Sequence, residues 1–268
     1  MLIRPGRSSG NLIDRRGGGG GGRGGRVGLG LGGLVLVLVL GTCFGIDITP
    51  LLGGGGVSQA PANEQASAPT DDASRLVDAV LVETEDVWGE IYRETGEVYP
   101  EPNLVLFTGQ TPTGCGYGQS AMGPFYCPSD RSVYIDLSFF NQLQRMGAQG
   151  EFAIAYVIAH EVAHHIQNVE GLLTRSRSNA MSVQTELQAD CLAGIWTHHA
   201  EGEDGAIVLN EQDIQSGISA AAAVGDDAIQ RGAGQAVRPE SFTHGSSRQR
   251  VDAFLTGYRS GDYAVCFG

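Results

Sequence analysis

The segment His160-Glu161-Val162-Ala163-His164, at the end of a long apolar run, constrains this 268-residue chain more than any other feature. The run before it, Glu151-Phe-Ala-Ile-Ala-Tyr-Val-Ile-Ala159, contains no Gly or Pro and is rich in Ala. It predicts a helix over about 151–168 that is apolar on nearly every side and therefore enclosed by a core. At ~3.6 residues per turn, positions 160 and 164 project from one face, so both imidazoles reach the floor of one pocket. Neutral imidazole binds zinc at ~2.0–2.1 Å. Glu161, beside the first imidazole, is placed to take a proton from a water on the metal, the division of labour of zinc hydrolases. Two unrelated histidines beside a solvated Glu would suit an exposed helix better than this apolar one. His165 points about 100° away from His164 and is not expected to share the ion.

A catalytic zinc takes three protein ligands and keeps one position open. Downstream, Gln184-Thr-Glu186-Leu-Gln-Ala-Asp190-Cys-Leu-Ala-Gly-Ile-Trp196 has helical patterning over about 182–199, with Glu186 and Asp190 four residues apart on one face. This stretch resembles the second zinc helix of the gluzincins. The resemblance implies Glu186 as third ligand and Asp190 as the carboxylate that hydrogen-bonds the far nitrogen of His160, fixing its tautomer. Glu170 competes, because it stands at the offset where metzincins carry their third ligand. That family needs Gly where this chain has Gln167, and Gly171 comes too late.

Phe242-Thr-His244-Gly-Ser-Ser-Arg248-Gln-Arg250-Val251 resembles the His-x-x-x-x-x-Arg element of several membrane-associated gluzincins. The implied roles are hydrogen bonding by His244 to the oxyanion of the reacting carbonyl and a positioning or structural charge for Arg250. Gly245 stands where those relatives often have Pro. The plainer alternative is a surface-loop histidine capping the helix that follows.

With these pieces the chain resembles, nearly end to end, the bacterial membrane-anchored zinc metallopeptidases of the YpfJ type. The resemblance includes Ser9-Gly-Asn11-Leu-Ile-Asp14-Arg15-Arg16-Gly17, Gly123-Pro-Phe-Tyr-Cys127-Pro-Ser-Asp130 and Val133-Tyr-Ile-Asp136-Leu-Ser-Phe-Phe140. It implies a zinc-dependent peptidase acting on peptides or proteins. The expected fold is α+β: a mostly helical zincin-like domain with a small sheet, preceded by one transmembrane helix. Two other classes stand beside it: an envelope interaction module with a structural zinc, and a zinc hydrolase of non-peptide substrates. Glu161 argues against the first, since a structural site needs no base.

The charge is uneven. Residues 1–26 hold six Arg against Asp14, whereas the whole chain carries a net charge of −13. An acidic body lacks the basic face that nucleic-acid binding requires. Residues 1–26, rich in Gly and Arg, are expected to be a disordered cytosolic tail. Residues 27–48 are expected to be a signal-anchor helix: no charge occurs from Val27 to Ile46, and about 20 apolar residues span the ~30 Å hydrocarbon layer. A cleaved signal peptide is the alternative, but no small-x-small site follows the run. Arginines upstream and none immediately downstream predict a cytoplasmic N-terminus and an extracytoplasmic body. Residues 49–69 read as a flexible linker and residues 70–268 as the folded domain.

Four cysteines follow Cys43, which allows three pairings. Cys115 and Cys127 bracket a short Gly-rich loop and form the natural first pair, leaving Cys191 with Cys266. Disulfides require an oxidising compartment, in keeping with export. Within the domain, Leu76, Val77, Val80, Leu81, Val87, Trp88 and Ile91 recur at helical spacing, and residues 103–107 and 132–136 read as strands. Ser132–Asp136 or the segment before it is the candidate to pair with an extended substrate by strand addition. Helices are expected at about 137–146, 210–224 and 247–258.

Overall fold

The computed structural model describes residues 1–4, 6–16, 66–173, 178–200 and 206–267. In chain order its elements are β1 (Leu2–Ile3), β2 (Leu12–Asp14), α1 (Asp72–Glu94), β3 (Asn103–Phe107), β4 (Gln110–Thr113), β5 (Gly116–Gln119), β6 (Phe125–Cys127) and β7 (Ser132–Asp136). They continue with α2 (Ser138–Arg145), α3 (Glu151–Val169), α4 (Asn179–His199), β8 (Ile207–Val208), α5 (Glu211–Ala223), α6 (Asp226–Gly232) and α7 (Ser247–Ser260). The class is mixed helix and sheet with helices predominating, as expected.

Helix α3 runs through the centre. From Phe152 to Gln167 every residue but Ile154 is buried, because α1, α4, α5 and strands β6 and β7 pack around it. An apolar surface on all sides thus finds cover on all sides. Helix α1 starts at a capping box in which the Asp71 carboxylate accepts from the Ser74 N–H at 2.7 Å and Ser74 Oγ accepts from the Asp71 N–H at 3.0 Å. Its predicted stripe is buried, except that Ile91 is only partly covered.

The main sheet has the order β2-β3-β7-β6, with β2, β3 and β7 parallel and β6 antiparallel to β7. Strand β7 therefore has neighbours on both sides and no free edge for a substrate, which corrects the expectation for Ser132–Asp136. The edge on the side of α3 is β6, part of the preceding segment. The loop between the cysteines also holds more order than expected: its strand β5 pairs antiparallel with β4, which lies just before Cys115. Both expected disulfides are present, Cys115–Cys127 and Cys191–Cys266, with Cα–Cα distances of 5.8 and 5.7 Å.

Described residues 1–16 are not a disordered tail. Strand β2 pairs with β3, and Leu12 is fully buried in the core. Strand β1 pairs with β8, and the Met1 ammonium meets Asp213 at 2.7 Å. Ser9 donates to the buried Glu85, and Asn11 Nδ2 donates to the same carboxylate at 2.9 Å. The segment's polar side chains satisfy buried carboxylates of α1, an arrangement that composition alone does not reveal. Ser67, assigned to the linker, donates its N–H to the Leu12 carbonyl at 2.7 Å.

The predicted span at 27–48 lies outside the described residues, as do residues 17–26 and 49–65. Among the described residues no helix is long and apolar enough to cross a membrane. One passage through a bilayer between residues 16 and 66 would place the hydrogen-bonded strands β2 and β3 on opposite sides.

Candidate metal centre

Helix α3 supplies His160 and His164, and α4 supplies Glu186. One ligand atom from each lies within 4.8 Å of the others. His160 Nε2 stands 3.2 Å from Glu186 Oε2, and His164 Nε2 stands 3.6 Å from Glu186 Oε1. Three atoms held ~2.0–2.2 Å from one ion at tetrahedral angles are roughly 3.3 Å apart, close to both histidine–carboxylate distances, so small side-chain movements would close the group on a zinc ion. Two imidazole nitrogens and one carboxylate oxygen also form a donor set that suits zinc.

Each ligand is oriented from behind. His160 Nδ1 lies 2.9 Å from Asp190 Oδ1, and His164 Nδ1 lies 2.8 Å from Gln167 Oε1. Both partners accept, so each Nδ1 carries a proton and each Nε2 faces Glu186, where it would offer its lone pair to a metal. Asp190 is held in turn by a buried Arg250, through Nε at 2.8 Å and Nη2 at 2.9 Å, and by the Tyr156 hydroxyl at 2.5 Å. Burial opposes ionisation of Asp190, but Arg250 and His160 outweigh it and hold the carboxyl below its usual range. Gln167 also donates to the Thr185 carbonyl and to Gln188 Oε1, both at 2.8 Å, tying α3 to α4. The residue that breaks the metzincin pattern thus serves this one. Glu170 accepts from the Tyr92 hydroxyl at 2.6 Å at the end of α3 and takes no part in the group.

Burial disfavours charge on His160, yet Asp190 and Glu186 push its pKa up to about 9. Burial likewise opposes ionisation of Glu186, but His164, His244 and His160 bring it well below the ordinary carboxylate value. The pocket therefore holds negative charge that protons balance, and a divalent cation would displace them.

Glu161 is buried and lines the same cavity. Burial pushes its carboxyl up, against the pull of His164 and His160. His244 reaches this cavity from the loop between α6 and α7. Asp226 holds that loop: one carboxylate oxygen accepts the N–H groups of Thr243, His244 and Gly245 at 2.7, 2.7 and 3.0 Å. The other oxygen lies 3.1 Å from His244 Nδ1, which leaves Nε2 as the free ring nitrogen. Burial opposes protonation of His244, but Glu186 and Asp226 raise its pKa. Neighbouring Asp227 accepts from the Ser247 N–H at 2.7 Å at the start of α7. Close packing of Gly225 permits this, because a Cβ there would sit 2.3 Å from the Ser247 nitrogen.

His160, Glu161, His164, Glu186, His244 and Arg250 therefore converge on one cavity of about 220 Å³, with Asp190 behind His160. The roles of Asp226, Gln167 and Tyr156 escaped sequence reasoning, because no motif marks them. His165 lies elsewhere, bound to the Tyr126 hydroxyl and the Pro100 carbonyl. His198 and His199 bond the carbonyls of Tyr258 and Gly261.

Comparison with known proteins identifies the family. The chain is 43% identical to the uncharacterized protein YpfJ of Escherichia coli K12, over 97% of this chain and 96% of that protein. It is 42% identical to the uncharacterized proteins Mb2605 of Mycobacterium bovis and Rv2575 of Mycobacterium tuberculosis, over 73% of this chain and 71% of each relative. No solved structure matches. A single family model covers residues 1–268, and the chain belongs to the family it describes, "Putative neutral zinc metallopeptidase".

Proposed function

We propose that this protein is a zinc-dependent peptidase in which His160, His164 and Glu186 hold the metal and Glu161 is the general base. The observation that carries the reading is the convergence of three oriented ligands and a buried carboxyl on one cavity. Bound zinc would acidify water and polarise the scissile carbonyl. Glu161 accepts a proton from the attacking water and returns it to the leaving amine, and a carboxyl pushed up by burial is suited to both steps. His244, in its protonated form, donates from Nε2 to the carbonyl oxygen as negative charge develops there, held in place by Asp226. The segment leading into β6, whose residues 121–125 line the cavity, offers a backbone edge to an extended peptide or protein substrate.

A structural zinc would be closed by a fourth protein ligand. Among the described residues the group contains three, beside an open cavity and a base. The decisive variant is Glu161→Gln. It should bind zinc as the wild type does and lose turnover of fluorogenic peptides; full activity in that variant would remove Glu161 from the mechanism.

The same reading places the domain in an oxidising, extracytoplasmic compartment, where disulfides persist. Residues 1–16 share that side. Protein alkylated in cells before reduction should carry no label on Cys115, Cys127, Cys191 or Cys266, and labelling of all four would point to a reducing compartment. The apolar stretch 27–48 supports attachment to a membrane, which fractionation with and without it would test.

A further inference from the structure

We infer that the space beside the metal ligands is a side-chain pocket that selects a large apolar residue next to the scissile bond. The inference rests on the peptidase reading and names its substrate class. Away from the ligands, the lining is Met122, Phe139, Met146, Val157 of α3, Val224 and Ile229, with the uncharged amide of Gln142 as its one polar side chain. The ionisable groups all stand at the metal end. Arg250, the one lining residue with a fixed positive charge, is already committed to Asp190. A charged side chain in this space would lose its hydration and find no opposite charge, whereas an apolar one exchanges water for hydrocarbon walls.

Size agrees with chemistry. At about 220 Å³ the cavity is smaller than the ~300–1,000 Å³ of small-molecule sites, so it suits one side chain with its backbone at the rim. Two methionines in the wall make it adaptable, so Leu, Met and Phe should be accepted alike. Because the pocket opens directly onto His160, Glu161 and His164, the residue it holds belongs to the bond being cut or its immediate neighbour.

The test uses the full chain loaded with zinc and one peptide sequence, varied at each position flanking the cleaved bond through Leu, Phe, Gly, Asp and Lys. Cleavage is read with wild type, and binding by calorimetry with Glu161→Gln. At one flanking position Leu and Phe should give a kcat/KM about tenfold or more above that of Gly and a Kd about tenfold or more below it, with Asp and Lys poorer still. Ile229→Asp, at a half-buried wall position, should shift acceptance towards Lys, and Phe139→Ala should shift it towards larger side chains. Equal cleavage and binding across the set, or a preference unchanged in both variants, would overturn the pocket. Apolar-selective binding to Glu161→Gln without any cleavage by wild type would instead keep the pocket and remove the peptidase reading. Cleavage by wild type without preference would do the reverse.

Discussion

Asp226 contributes nothing to the ligand set, yet its carboxylate accepts three consecutive backbone N–H groups and the Nδ1 of His244. If His244 acts through Nε2, then Asp226 acts through His244, and the two losses should not add. Replacing His244 with Ala should lower kcat by roughly 10²–10³ while zinc content stays constant. Asp226→Ala should approach that loss, and the double variant should be no slower than His244→Ala alone. Additive losses would assign Asp226 some other role. The candidate ligands His160 and His164 were legible in the sequence because helical spacing dictates which residues share a face, and Glu186 was legible by resemblance. Their outer partners differ in this respect. Asp190 was legible by resemblance, but Gln167 and Arg250 meet their partners through contacts between helices that no spacing rule encodes.

Helices α4 and α7 cross closely, which brings Arg250 on α7 to Asp190 on α4. Two glycines make the approach possible. A Cβ on Gly194 would lie 2.1 Å from the Phe254 carbonyl oxygen, and one on Gly257 would lie 1.9 Å from that of Cys191. Both obstacles are backbone, so neither can swing aside. Ala normally favours a helix over Gly by ~1 kcal/mol, yet here the forced separation should dominate and destabilise the fold by about 1–3 kcal/mol or more. Thermal unfolding of Gly194→Ala and Gly257→Ala would show this, and zinc affinity should fall along with stability as Asp190 loses its hold on Arg250. Unchanged melting in both variants would refute the tight crossing. The sequence placed both helices correctly, since their apolar periodicity is local. It left the role of these glycines hidden, because a glycine inside a helix carries no mark of what packs against it.

At the scale of the whole molecule, the first residues belong to the domain. Leu12 is fully buried, and Ser9 and Asn11 occupy the Glu85 carboxylate of α1. Leu12→Ala should therefore cost about 2–5 kcal/mol in denaturant unfolding, the usual penalty for a buried leucine. A free tail would show no change. Sidedness is a second consequence. With Cys43 replaced by Ser, single cysteines at exposed Leu2 and exposed Arg248 should react alike with an impermeant thiol reagent in intact cells. Labelling of only one would show that β2 and β3 are apart in the cell.

The sequence by itself determined the candidate metal-ligating pair, the helices that carry it and both disulfide pairings, because each follows from local periodicity or a short count of alternatives. Tertiary structure alone decided that the Arg- and Gly-rich start of the chain completes the sheet, that β6 rather than β7 is the edge beside α3, and that Asp226 holds His244. Those outcomes depend on which buried carboxylates and backbone groups need partners. That demand arises only once distant segments have been brought out of water together.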